Sequence, residues 1–250
     1  MKRVLAAAVA ATALVTAAPA QAATPDPVKA LKSKFLPGHG VKVSELMRMV
    51  SKGKKPDAIR MTGAFEFGKS GVIASDVTLR FVEHSKKFTL RAVTVGKQMY
   101  FQSDEFKELP EGKTWVRMGK ASRADVSYHP IDLFRPAQLK GLLSHAKSST
   151  GGLYRGTLTT KQASKLTGLY YGPGVDYRLS VGSAGLPSRF FTSQKNPSAS
   201  LETVDTRYSG WGHKVTIKAP PEELVTSSEE VIDGILQELQ VLPNEALASR

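Results

Sequence analysis

The sequence predicts an α+β fold: a large antiparallel β-sheet, wet on one face and oily on the other, with a few helices covering the oily face. Three observations carry that expectation. Between Ile59 and Met118 the segments IRMTGAFEFG, SDVTLRFVEH, KKFTLRAVTVG, KQMYFQS and KTWVRM alternate apolar and polar residues and are rich in β-branched and aromatic side chains, the signature of half-buried strands. Turn-formers at Gly68–Gly71, His84–Lys87, Gly96–Lys97 and Pro110–Lys113 divide them into a meander. Elsewhere the apolar period becomes helical: Leu139, Leu142, Leu143 and Ala146 fall on one face, as do Val231, Ile232, Ile235, Leu236 and Leu239.

Taken in order, residues 1–22 are expected to be a cleaved signal peptide. Lys2 and Arg3 give a positive start, Val4 to Ala18 is apolar, and Ala18-Pro19-Ala20 and Ala20-Gln21-Ala22 offer small-x-small cleavage sites. The apolar run is short for a bilayer span, although a retained anchor is the alternative. Residues 23–250 then form one domain. After Thr24–Pro27, Val28 to Phe35 has room for one or two helical turns before Pro37, and Gly38-His39-Gly40 is a sharp break. Val41 to Val50 alternates and opens the sheet, with helix over Ser44–Met49 as the other reading, and Lys52–Asp57 is a turn. After the meander, Asp125 to Pro130 reads as a loop and the helix follows behind Pro136, weakened by Gly141. Leu153 to Thr160 is another strand, and Lys161 to Leu169 a second helix with Thr160 as its N-cap. Val175–Val181, Pro187–Gln194 and Ser200–Tyr208 are strands, the first two joined by a tight turn at Gly182–Gly185. Gly210-Trp211-Gly212 breaks the pattern before a last strand at Val215–Lys218, and Glu229–Val241 closes the chain as a helix with Ser227 and Glu230 spaced as a capping box.

The chain has 250 residues, no cysteine and a formal net charge of +13. Loss of the leader with its two cations leaves 228 residues at +11. A chain of that length buries a substantial core without disulfides, even in an oxidising compartment. The missing cysteine also excludes lipoprotein acylation behind the signal. The positive balance suits an anionic surface such as lipid headgroups or wall polymers. With no run of five like charges and no arginine-rich tract, nucleic acid is not an expected partner.

The search for chemistry returns little. His39, His84, His129, His145 and His213 lack metal-ligand spacing, so no metal and no cofactor is expected. Gly68-Lys69-Ser70-Gly71 and Gly182-Ser183-Ala184-Gly185 put their glycines at the wrong offsets for a nucleophile elbow and fit turns instead. Gly172-Pro173-Gly174 is not a phosphate loop, and Asp104-Glu105, Glu222-Glu223 and Glu229-Glu230 are adjacent carboxylates that point apart or sit at helix starts. His39, between two glycines, is the isolated histidine that most resists a purely structural reading. The aromatic and aliphatic residues carry the remaining signal. Most are core, but a curved sheet under few, interrupted helices leaves room between the layers. The residues expected to line that space are Met61, Phe65, Phe67, Leu79, Phe81, Phe88, Leu90, Tyr100, Trp115, Leu133, Phe134, Leu139, Leu142 and Leu143.

Three stretches carry a resemblance to a known family: GKQMYFQS with LPEGKTWVRM (96–103 and 109–118), HPIDLFRPAQLKGLLSHA (129–146), and TVDTRYSGWGHKVTIKAPP (203–221). Together they resemble the LolA/LppX-like lipoprotein-carrier superfamily over most of residues 59–221, in a secreted actinobacterial form. The resemblance implies a strongly curved half-barrel sheet with helices plugging its concave face, acyl chains held between, and no catalytic residues. The absent cysteine, the GHGV segment and the long amino-terminal region depart from the pattern. The expectation is therefore a secreted, monomeric, non-enzymatic protein that binds a lipid or other amphiphile. The alternative is an envelope interaction or sensor domain, solidly packed, that meets a protein or anionic wall polymer through its basic surface. A hydrolase with dispersed carboxylates comes third and requires a raised-pKa acid in a cleft.

Overall fold

A computed structural model describes residues 25–228 apart from 54–55, 83–86, 107–108, 122, 169–171, 173 and 196–199. The period-two segments become β1 (His39–Val50), β2 (Asp57–Gly68), β3 (Gly71–Val82), β4 (Lys87–Val95), β5 (Gln98–Gln102) and β6 (Trp115–Lys120). A second run follows: β7 (Ser148–Thr150), β8 (Leu153–Thr159), β9 (Gly174–Val181), β10 (Pro187–Lys195), β11 (Leu201–Lys214) and β12 (Val225–Ser227). All pair in one sheet of order β12-β6-β5-β4-β3-β2-β1-β11-β10-β9-β8-β7. Neighbours are antiparallel except β12 on β6, which is parallel. The end strands do not close on each other, so the sheet is an open, curved one rather than a barrel.

This topology explains the cover. The first six strands run outward from β1 and the later ones return inward to β11, which pairs with β1 at the middle. The chain must therefore travel from β6, next to the edge strand β12, to the opposite edge, β7, and residues 121–147 make that crossing over the inner face. They carry α2 (Pro136–Ser144), flanked by the irregular stretch before it. α1 (Pro27–Lys32) and α3 (Thr160–Thr167) complete the layer. Local chemistry fixes their ends: Asp26 accepts from the Val28 and Lys29 N–H groups, and Thr159 with Gln162 forms a capping box. The N-cap of α3 is thus Thr159 rather than Thr160.

One apolar core fills the space between sheet and cover. It draws Leu79 and Leu90 from β3 and β4, Phe190 from β10, Leu158 from β8 and Leu139 and Leu142 from α2. Gly141 is explained here: a Cβ would run into Leu166 of α3, so the glycine lets the two helices close up. The outer face is not wholly wet, because Val93, Tyr100, Trp115 and Val225 form a second cluster under the carboxy-terminal segment.

Two expected elements differ. β11 runs on to Lys214 because Gly210 and Gly212 take positive φ (61° and 79°) and absorb the twist that a break was expected to supply. Val215–Lys218 is not a strand; it lies along the outer face, with the Ile217 N–H donating to Glu66 at 2.7 Å. The leader and the helix expected at Glu229–Val241 lie outside the described residues.

Candidate functional site

Of the fourteen apolar residues expected to line one space, the structure brings together twelve. Met61, Phe65, Phe67, Leu79, Phe81, Leu90, Leu133, Phe134, Leu139 and Leu142 are buried in the main core, and Phe88 and Leu143 pack half-buried against it. Tyr100 and Trp115 lie on the opposite face. Phe101 pairs with Ala92 and faces inward, so its neighbour Tyr100, paired with Val93, faces out. Met99-Tyr100-Phe101 is apolar throughout, so alternation alone does not choose a face. Arginine does: Arg117 lies 5.8 Å over Tyr100 and Arg91 5.3 Å over Trp115, both on the outer side.

At the end of the sheet where β1 begins, six aromatic rings meet. Phe35, Phe65, Phe67, Phe134, Tyr208 and Trp211 are linked by centroid distances of 5.4–6.1 Å, mostly tilted or edge-on. Trp211 is half-buried and its indole N–H donates to the Pro187 carbonyl at 2.9 Å. The inward side chains at the centre of this layer are closely packed: Phe67, Leu79, Leu90, Leu139 and Leu142 are 0% exposed. A side chain with no accessible surface borders no void wide enough for a water molecule. The apolar layer therefore reaches solvent only at its margins, at Phe88, Phe106, Leu143, Tyr154 and Leu166 among others.

Sequence reasoning missed a polar knot inside that layer. Glu45 of β1 stands on the inward side beside Val43 and Met47 and is 1% exposed. Its Oε1 accepts from the Tyr128 N–H at 2.9 Å, and its Oε2 accepts from the Ser127 and Thr206 hydroxyls at 2.8 and 2.6 Å. His129, 3% exposed, bridges Thr206 and Thr192 through its two ring nitrogens at 2.8 and 2.9 Å. The imidazole and carboxylate are 4.0 Å apart, so Thr206 relays between them. Burial raises the Glu45 carboxyl above its ordinary range, against the lowering effect of its three donors. Burial, with Arg123 nearby, pushes His129 down to about 3, which leaves the ring neutral. Beside the knot, Arg123 forks onto Asp125 and lies 3.9 Å from Asp132, whose carboxyl burial and Asp125 push up to about 6.

An acid, a hydroxyl and an imidazole in line have the parts of a proton relay. Their burial decides otherwise, since no substrate atom comes within hydrogen-bonding reach of groups this enclosed. What the knot does is structural: it ties residues 127–129 of the crossing segment to β1, β10 and β11 at the sheet's midline. The remaining histidines are local. His39 opens β1 and contacts the Pro37 carbonyl through Nδ1 at 3.1 Å; His145 and His213 bond the Gly141 and Gly210 carbonyls. Among the described residues no group of three metal-ligating side chains occurs, and no helix is long and apolar enough to cross a membrane. His84 lies outside the described residues.

No family model and no curated protein matches the chain. Solved structures do. LprF from Mycobacterium bovis is similar at 17% identity and a TM-score of 0.43, over 78% of this chain and 93% of that one. LppX from Mycobacterium tuberculosis is similar at 12% and 0.42, over 77% and 96%. A LolA superfamily protein from Nitrosomonas europaea is similar at 11% and 0.33, over 81% and 97%. At such identities and scores a likeness says nothing about ligands.

Proposed function

We propose that the protein is an extracytoplasmic, non-enzymatic binder or carrier of a lipid or other amphiphile, whose apolar part is taken up between the inner face of the sheet and its cover. The observation that supports this most is the makeup of the cover. A wide, continuous apolar layer is roofed by helices of 6, 9 and 8 residues and an irregular strap, each too short to be stable alone. Such pieces are held chiefly by apolar contact, and an acyl chain supplies the same contact. At about 0.8 kcal/mol per buried methylene, a sixteen-carbon chain contributes about 12 kcal/mol, enough to displace one piece of the roof. The close packing of the centre makes this an exchange rather than the filling of a standing hollow. Entry lies at the margins, where Leu143, Tyr154 and Leu166 are half-exposed.

Protein purified from its own host is extracted with organic solvent and the extract analysed by mass spectrometry, and lipid-free protein is titrated with a fluorescent fatty-acyl probe. A stoichiometric lipid, or saturable probe uptake, is the expected result. A lipid-free extract together with no probe uptake leaves the interior as plain core.

A further inference from the structure

We infer that the end of the molecule where β1 begins is a docking face for an anionic lipid bilayer. The turns at this end include residues 25–42, 66–73, 96–97, 182–187 and 209–218. Pairing puts them together: His39 lies opposite Phe67 on one side and Lys214 on the other, the Gly96 N–H donates to the Ile73 carbonyl, and Trp211 bonds Pro187. These segments carry eight lysines and two carboxylates. The two carboxylates leave six of those charges uncompensated, and each is bonded to backbone N–H groups rather than to a lysine. Asp26 caps α1 and Glu66, 8% exposed, accepts from the Ile217 N–H. None of the eight lysines pairs with a carboxylate among the described residues.

The opposite end is different. Asp57, Asp104, Glu105 and Glu111 stand in its turns among the basic residues, so charge there is mixed, whereas the turns at the β1 end are almost purely basic. Basic residues alone fit many polyanions, and apolar points among them select the partner. Leu36 is 52% exposed at the tip of the α1–β1 turn and Ile73 is 42% exposed on β3. Lys34, Lys69 and Lys214 stand around them, and the half-buried Trp211 lies behind. An exposed leucine flanked by lysines, with a tryptophan behind it, matches a headgroup layer over hydrocarbon. A wall polymer offers nothing to Leu36. This docking needs no guest in the interior and stands apart from the proposed carrier role.

Lipid-free protein comprising residues 23–250 is sedimented with vesicles of phosphatidylcholine alone or with 30% phosphatidylglycerol, at about 50 and 500 mM salt. Expected is binding to the anionic vesicles only, weakened by salt and reduced about tenfold or more in the variant Lys34→Glu/Lys69→Glu/Lys214→Glu. Leu36→Ser is expected to weaken it at low salt with the charge untouched. The control Lys52→Glu/Lys87→Glu/Lys195→Glu, with the same net charge at the opposite end, is expected to bind nearly as well as the parent, and circular dichroism confirms that each variant is folded. No binding to anionic vesicles at low salt overturns the proposal, as do equal losses in both triple variants or retention on isolated wall polymer without vesicle binding. Vesicle binding without any lipid in the protein afterwards supports docking and counts against the carrier; lipid uptake insensitive to the triple variant does the reverse.

Discussion

Replacing Glu45 by glutamine is expected to leave the protein almost as stable while reversing the direction of its buried hydrogen-bond chain. With Glu45 ionised, Thr206 donates to Oε2, His129 Nε2–H donates to Thr206, and Thr192 donates to His129 Nδ1, across contacts of 2.6, 2.8 and 2.9 Å. An amide in the same place keeps its oxygen on the Tyr128 N–H and turns its NH2 toward Ser127 and Thr206. Each hydroxyl then rotates: Thr206 donates to Nε2, and His129 donates from Nδ1 to Thr192. Each of these groups keeps a hydrogen-bond partner, though the Ser127 and Thr192 hydroxyl protons lose their acceptors, so the cost of Glu45→Gln is expected to stay at about 1 kcal/mol. Glu45→Leu has no such escape. It orphans the Tyr128 N–H and strips Thr206 and Ser127 of an acceptor, for a loss of about 1–3 kcal/mol even after relief of carboxylate burial. Urea unfolding gives the stabilities, and long-range nitrogen-15 NMR of the imidazole reads the tautomer, Nε2–H in the parent near neutral pH and Nδ1–H in Glu45→Gln. An unchanged tautomer, or a glutamine variant as unstable as the leucine one, refutes the relay.

The same knot sets a pH dependence. Folded His129 protonates only near 3 while the unfolded ring does so near 6.5, so unfolding takes up a proton and stability falls as pH drops from 6.5. Asp132 acts in the opposite sense between 3.8 and about 6, where the folded carboxyl keeps its proton and stability falls as pH rises. His129→Gln isolates the first effect: between pH 7 and 4 the parent is expected to lose up to about 3 kcal/mol more than the variant, by urea titration at both pH values. Leu142→Ala, at a fully buried site on α2, is expected to cost about 2–5 kcal/mol by the same assay. Gly63→Ala is expected to destabilise by about 1–3 kcal/mol although alanine suits a strand better, because its Cβ would overlap the Asp76 backbone carbonyl of β3; a neutral or raised melting temperature contradicts this.

Much of the sheet was legible because period-two alternation and turn chemistry are local. The hairpin at Gly182–Gly185, the meander from β2 to β6 and the α2 stripe all follow from neighbours in sequence. Where local signals run out, the sequence is ambiguous. Three apolar residues in a row hid which way β5 faces, and the two glycines around Trp211 looked like a break when they only bend β11. The polar knot left one trace, a glutamate on the same parity as Val41, Val43 and Met47. Its partners Ser127, Tyr128, Thr192 and Thr206 lie more than eighty residues away, and no local pattern connects them.

The position of that knot bears on how the proposed exchange would work. Residues 127–129 are tied by directional bonds to three strands at the midline, and an acyl chain replaces none of those bonds. The α2–α3 side is held largely by leucines, with the Tyr177 hydroxyl donating to the Leu142 carbonyl at 2.8 Å. Gly156 and Gly141 permit the close approaches there, Gly156 to Tyr177 and Gly141 to Leu166, so little bulk is interlocked. A roof fixed at its centre and held by apolar contact on one flank opens at that flank. Tyr177→Phe removes the directional tie between β9 and α2 and is expected to raise acyl-probe uptake while costing about 0.5–1.5 kcal/mol of stability. An equal stability loss with uptake unchanged would move the entry away from α2.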